Sequence, residues 1–176
     1  QADKYHVPRI CFINKMDKLG ADFFRTVGSI EERLGVKTAI YVLPVGCEQS
    51  FKGMVDLLTR QALLWGSDEL GAKYEVSNEI PQEMKEQVEK YRHKLVELIC
   101  ENDDELLKKN LNGQEPTIDE LNKGLRKATI GYKLVPVFCG SSLRNKGVQP
   151  LLDGIVDFLP SPLDVRLVPG YNPKTG

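Results

Sequence analysis

Two short apolar runs constrain this chain more than anything else in it. "RICFI", residues 9–13, and "KLVPVFC", residues 133–139, each stop abruptly at a polar loop, and each loop leads into an amphipathic segment. Runs of this length without polar alternation suit strands covered on both faces, as in a parallel sheet. The first is followed by "NKMDKLGADF", then by Phe23, Val27, Ile30 and Leu34 at helical spacing, with Gly35 as a left-handed stop. The second is followed by "GSSLRNKG". Val148, Leu151, Leu152, Ile155, Phe158 and Leu159 are then predicted as the core face of a helix that Pro160 and Pro162 end. Strand, loop, helix, repeated at both ends, predicts an α/β domain with a parallel sheet over residues 1–36 and 133–176.

The middle, residues 37–132, follows another pattern. "TAIYVLPV" predicts one strand, "FKGMVDLL" and "QALLW" two more, and residues 70–78 a loop or an edge strand. Pro81 opens a long helix with Met84, Val88, Tyr91, Leu95 and Leu98 on one face. Asp103 or Asp104 caps a shorter helix that Gly113 ends, and Thr117 with Glu120 forms a capping box for a third, to about Ile130. Antiparallel-looking strands followed by consecutive helices predict an α+β subdomain inserted into the α/β domain. Within it, Gly53 marks a bulge or a close backbone approach, Trp65 packs, and His93 faces solvent.

Composition narrows the function classes. A net charge of −1 gives no whole-chain basic field, so any contact with nucleic acid must be local or come from another part of the protein. No apolar run has the length of a membrane span and no secretory signal opens the chain, so no membrane partner is expected. Cys11, Cys47, Cys100 and Cys139 form no C-x-x-C pair, and only His6 and His93 could join them, so neither a zinc site nor a disulfide framework is expected. Reduced, mostly buried thiols are expected, Cys139 among them, in a cytosol-like compartment. A chain that begins at Gln1 and ends in "PSPLDVRLVPGYNPKTG" is expected to be a piece of a longer protein.

In open α/β sheets, ligands bind beyond the carboxyl ends of the strands, where both polar loops are predicted. Guanine presents two adjacent donors, a ring N–H and an exocyclic amine. A carboxylate such as Asp17 can accept from both, whereas adenine would leave it unsatisfied at a cost of about 1–3 kcal/mol. The aliphatic stem of Lys15 can lie across a base. Asn14 has an amide able to bond the base edge and neighbouring loops, and Gly140-Ser141-Ser142-Leu143 can aim backbone N–H groups at the guanine carbonyl. Arg144, Asn145 and Lys146 form a small cationic loop beside it, expected to be solvated.

"FINKMDKLGADF", "FKGMVDLL" and "CGSSLRNKGVQPLLDGIVDFLPSPLDV" together resemble the elongation factor G family of translational GTPases over essentially the whole chain. The resemblance implies that "NKMD" is the guanine-specificity motif, with Asn14, Lys15 and Asp17 contacting the base. It also implies that "GSSL" is the second base-contacting loop, with Ser141, Ser142 and Leu143. Ser142 stands where the family usually has alanine, a change compatible with a backbone N–H contact. The fold implied is part of a P-loop GTPase domain with an inserted subdomain, which the family associates with the ribosomal stalk protein. The cofactors implied are GTP and GDP with Mg2+ in the longer protein, with none held tightly by this piece. The partners implied are the ribosome, its large-subunit stalk protein and ribosomal RNA, the chain itself being a monomer. A bacterial cytoplasm is the expected location, with a mitochondrion or plastid as alternatives.

No G-x-x-x-x-G-K-[ST] phosphate loop and no D-x-P-G-H segment occurs in these residues. "DKLG" and "DELG" match a bare D-x-x-G, but one overlaps the base loop and the other lies in the insert. Without phosphate and magnesium ligands the transferring phosphoryl group cannot be stabilised. This piece alone is therefore expected not to hydrolyse GTP. A non-catalytic stalk-docking module is the alternative from a different class, and a ribosome-recycling paralogue is the alternative within the family.

Overall fold

The computed structural model describes residues 1–2, 4–66, 71 and 73–164. The tail beyond Asp164, and the Leu70 end of the predicted loop or edge strand, lie outside the described residues. β1 (Cys11–Ile13) leads into α1 (Phe23–Leu34). Asp22 caps α1 by accepting from the Arg25 N–H, and Gly35 ends it at φ 61°, its own N–H bonded to the Glu31 carbonyl. There follow β2 (Thr38–Ile40), β3 (Val42–Val45), β4 (Gly53–Asp56), β5 (Gln61–Leu64) and β6 (Glu75–Ser77). The chain continues through α2 (Lys85–Cys100), α3 (Asp104–Leu111), α4 (Ile118–Ile130), β7 (Val135–Cys139) and α5 (Val148–Phe158).

The strands form two sheets. One is parallel in the order β1-β7-β2, and the other is antiparallel in the order β3-β4-β5-β6. All of β7 is buried between its neighbours, as its uninterrupted apolar sequence predicted. This is the mixed α/β architecture expected, a parallel sheet with an antiparallel sheet beside it.

"TAIYVLPV" is not one strand. Its first half, β2, lies in the parallel sheet, and its second half, β3, in the antiparallel one. Tyr41 is the pivot: its N–H bonds the Val137 carbonyl at 3.0 Å, and its own carbonyl accepts from Leu57 at 3.1 Å. Its ring packs on Phe138 at 5.0 Å and Phe158 at 5.2 Å. No glycine or turn residue marks the change of sheet, which takes place over the single residue between β2 and β3. Thr38–Ile40 thus pair with β7, although the sequence pattern grouped everything after residue 36 with the antiparallel strands.

The local signals in the insert behave as their chemistry predicts. Asp103 caps α3 by accepting from Glu105 and Leu106, and Thr117 and Glu120 form the reciprocal box at the start of α4. Leu95 and Ile99 of α2 are buried, as are Leu121 and Leu125 of α4. Gly53 marks a close backbone approach rather than a bulge: β4 stays in register on both sides, and a Cβ there would sit 2.1 Å from the Leu63 carbonyl oxygen.

α5 buries only part of the predicted face: Phe158 is in the core and Leu151 packs against it, as expected. Pro150, Gly154 and Phe158 are its buried residues, while Leu152 and Ile155 are exposed. Apolar residues occupy several faces of this helix, so periodicity could not select one. The rings on the sheet decide it, since the absent side chain of Gly154 makes room for Phe138.

Candidate functional site

Adjacent parallel strands bring the two polar loops together. Ile13 and Cys139 stand opposite each other at the carboxyl ends of β1 and β7, so the loops emerge side by side. The Gly140 N–H bonds the Ile13 carbonyl and the Met16 N–H bonds the Gly140 carbonyl, both at 3.0 Å. The Asn14 Oδ1 accepts from the Lys15 N–H at 2.7 Å, from the Ser142 N–H at 3.0 Å and from the Ser142 hydroxyl at 3.1 Å. One amide therefore ties both loops. Lys15 takes a left-handed φ of 63°, and Met16 is buried beneath it.

Asp17 is the carboxylate of the pair of loops. Its side chain is 5% exposed, and its Oδ2 is buried without a hydrogen-bond partner. The Arg144 Nε lies 3.3 Å from that oxygen and the Lys18 Nζ 3.8 Å. The neighbouring Ser141 hydroxyl most strongly lowers the pKa of the Asp17 carboxyl, against the effect of burial. The backbone and the Lys18 and Arg144 charges lower it further. Ser141 is itself buried, and its Oγ also makes no hydrogen bond of ordinary geometry. A buried, ionised carboxylate whose Oδ2 accepts no hydrogen bond can still take donors, and the two adjacent donors of guanine fit that demand. Leu143, 85% exposed, and Lys15 offer apolar surface on either loop.

The second loop is closed by a backbone bridge. The Ser141 N–H bonds the Lys146 carbonyl at 2.9 Å and the Lys146 N–H returns to the Ser141 carbonyl at 3.0 Å, with Asn145 at φ 52°. All six residues singled out from the sequence thus lie on the two loops. Ser142 differs in one respect, since its N–H is directed at Asn14.

Sequence reasoning missed three residues here. Arg144 is exposed, as expected of a solvated loop, yet also pairs with Asp17, and the Lys146 Nζ donates to the Phe51 carbonyl at 3.3 Å. Glu48, in the turn between β3 and β4, accepts from the Gly20 N–H at 2.6 Å. Nothing local in the sequence points to any of the three, because each partner lies on a segment distant in the chain. Elsewhere the four cysteines are free. Cys139 and Cys100 are buried, Cys11 is half-buried and Cys47 is exposed, with burial pushing up the thiols of Cys11, Cys100 and Cys139. Trp65 is buried and donates to the Gly71 carbonyl, and His93 is exposed beside Glu97. Among the described residues no three His, Cys, Asp or Glu side chains stand together as a metal site, and no helix is long and apolar enough to cross a membrane.

A parallel sheet flanked by helices, with two polar loops converging beyond the ends of neighbouring strands, is the architecture of a nucleotide-binding domain. The chain belongs to the family of the elongation factor Tu GTP-binding domain, the GTP-binding domain of translation factors, which it matches over residues 1–161. The fold is similar to a crystal structure of a protein from Thermus thermophilus, with 30% sequence identity and a TM-score of 0.81. That match covers 93% of this chain and 24% of the Thermus chain, so the present chain spans about a quarter of that protein's length.

Proposed function

We propose that this chain is the guanine-recognition part of the GTPase domain, with its inserted α+β subdomain, of an elongation factor G that hydrolyses GTP on the ribosome to drive movement of tRNA and mRNA. The observation that carries the reading is the buried Oδ2 of Asp17, which has ion-pair neighbours in Arg144 and Lys18 but no hydrogen-bond donor, beside Ser141 of the neighbouring loop. In this reading Asp17 accepts from the guanine ring N–H and amine, while Lys15 and Leu143 flank the base. Asn14 holds the loops together, with Ser141 and Ser142 lining the second. The division into residues 1–36 with 133–176, and 37–132, belongs to the same proposal, with β2 joining the first part by its pairing.

Phosphate and Mg2+ ligands come from other parts of the longer protein, where the metal neutralises charge on the transferring phosphoryl group. These residues alone bind the base end and do not hydrolyse GTP. The insert faces the large-subunit stalk protein, and the protein acts as a monomer in a bacterial or organellar compartment. The absence of a phosphate-loop motif in these residues favours one second reading, a docking module whose base loops serve only as scaffold.

The test is Asp17→Asn in the full-length protein. It replaces an acceptor by a donor opposite the guanine amine. One charge-assisted hydrogen bond is lost and the other loses its charge, together about 1.5–3 kcal/mol, so GDP affinity is expected to fall about tenfold or more and xanthosine diphosphate affinity to rise. Unchanged preference for guanine in a fluorescent-nucleotide titration would sink the assignment and leave the docking module.

A further inference from the structure

We infer that Glu48, on the turn joining the first two antiparallel strands, is a positioning residue for guanine recognition, a role that rests on the base-site reading above. Its side chain and backbone grip the first loop at both ends. The Oε1 accepts from the Gly20 N–H at 2.6 Å, and the Glu48 N–H donates to the Met16 carbonyl at 2.8 Å. Asp17 lies between these two anchors. The same turn also reaches the second loop, because the Phe51 carbonyl accepts from the Lys146 Nζ. One short segment of the antiparallel part therefore holds both base loops, and the loops are not braced by the parallel sheet alone.

Backbone geometry points the same way. Glu48 adopts a φ of 53°, in the left-handed region that glutamate seldom occupies. Strain of this kind persists where the surroundings over-determine it, and here the two hydrogen bonds to the loop supply the reason. The turn does not need the glutamate side chain to hold its own shape. The Cys47 N–H donates to the Ser50 hydroxyl, which returns to the Cys47 carbonyl at 2.7 Å, the Phe51 N–H bonds the Glu48 carbonyl, and Phe51 is buried. Glu48 therefore acts on the base through the placement of Asp17, without touching the nucleotide.

The experiment uses the full-length protein with Glu48→Gly and Glu48→Gln. Glycine suits the positive φ better than glutamate and removes the acceptor, so the turn stays folded while the anchor to Gly20 is lost. Glutamine keeps an amide oxygen that can take the same hydrogen bond. GDP and inosine diphosphate are titrated against each variant, because inosine lacks the amine that Asp17 reads. Glu48→Gly is expected to weaken GDP about tenfold and inosine diphosphate less, narrowing the ratio between them, and Glu48→Gln is expected to restore it. An unchanged ratio in Glu48→Gly, or an equal loss for both nucleotides, overturns the positioning role. Asp17→Asn measured alongside separates the two failures: a switch to xanthine there with no effect at Glu48 refutes only the brace, and no switch refutes the base site itself.

Discussion

Gly140, the residue between β7 and the second loop, offers the sharpest test of how the site is built. A Cβ added there would lie 2.3 Å from the Lys146 carbonyl oxygen and 2.7 Å from the Phe12 Cζ. Carbon–oxygen contacts settle at about 3.3 Å or beyond, so something must move by about 1 Å. The Phe12 ring can turn aside. The Lys146 carbonyl cannot move freely, because it accepts the Ser141 N–H at 2.9 Å in the bridge that closes the loop. Gly140→Ala then either strains the backbone by about 1–3 kcal/mol or breaks two bridge hydrogen bonds worth about 1 kcal/mol each. Both routes lead to a loss of about 2–3 kcal/mol. For a chain of this size that is a Tm drop of about 4–10 °C, read by circular dichroism. The control is Gly28→Ala on α1, where an added Cβ meets nothing within 4 Å and Tm should rise by about 2 °C. A Gly140→Ala protein that melts within about a degree of the unmodified chain would refute the reasoning.

Two further outcomes follow from the packing and the helix caps. Phe158 is fully buried against Tyr41 and Phe138, so Phe158→Ala should cost about 3–5 kcal/mol in urea unfolding; a loss under about 1 kcal/mol would show that the ring does not join the helix to the sheet. Glu120 has its pKa lowered to about 2 from an ordinary 4.5, first by Lys109 and then by the Thr117 backbone and hydroxyl. A depressed folded-state pKa means that its contribution is present above about pH 4.5 and is lost as pH falls through about 2. Acid melts of Glu120→Gln should therefore lose less stability across that window than the unmodified chain, and identical acid profiles would contradict the linkage.

Much of the secondary structure was legible because its causes are local. Asp22 and Gly35 bound α1, Asp103 starts α3, and Thr117 with Glu120 starts α4, each through bonds to residues a few places away. The two polar loops were legible for a related reason: an apolar run that ends in Asn14-Lys15-Met16-Asp17 carries its discontinuity in adjacent residues. The buried face of α5 was legible only in part: Phe158 and Leu151 were expected inward, but Leu152 and Ile155 are as apolar, and the Phe138 ring seated on Gly154 is what separates them. The role of Arg144 was not legible, since its placement beside Asp17 depends on two loops far apart in the chain.

By itself, the sequence determined the starts of α1, α3 and α4 and which two loops carry the polar chemistry, because capping and turn geometry act over a few residues. Tertiary structure alone decided that the chain changes sheets at Tyr41, whose N–H bonds the parallel sheet and whose carbonyl accepts from Leu57. It also decided that Asn14 ties to Ser142 across 128 positions, and Glu48 to Gly20 across 28. Those contacts exist because parallel pairing of β1 with β7 sets the loops side by side and the antiparallel sheet delivers its first turn against them. A hydrogen bond between distant residues depends on that whole arrangement, and no short stretch of sequence contains it.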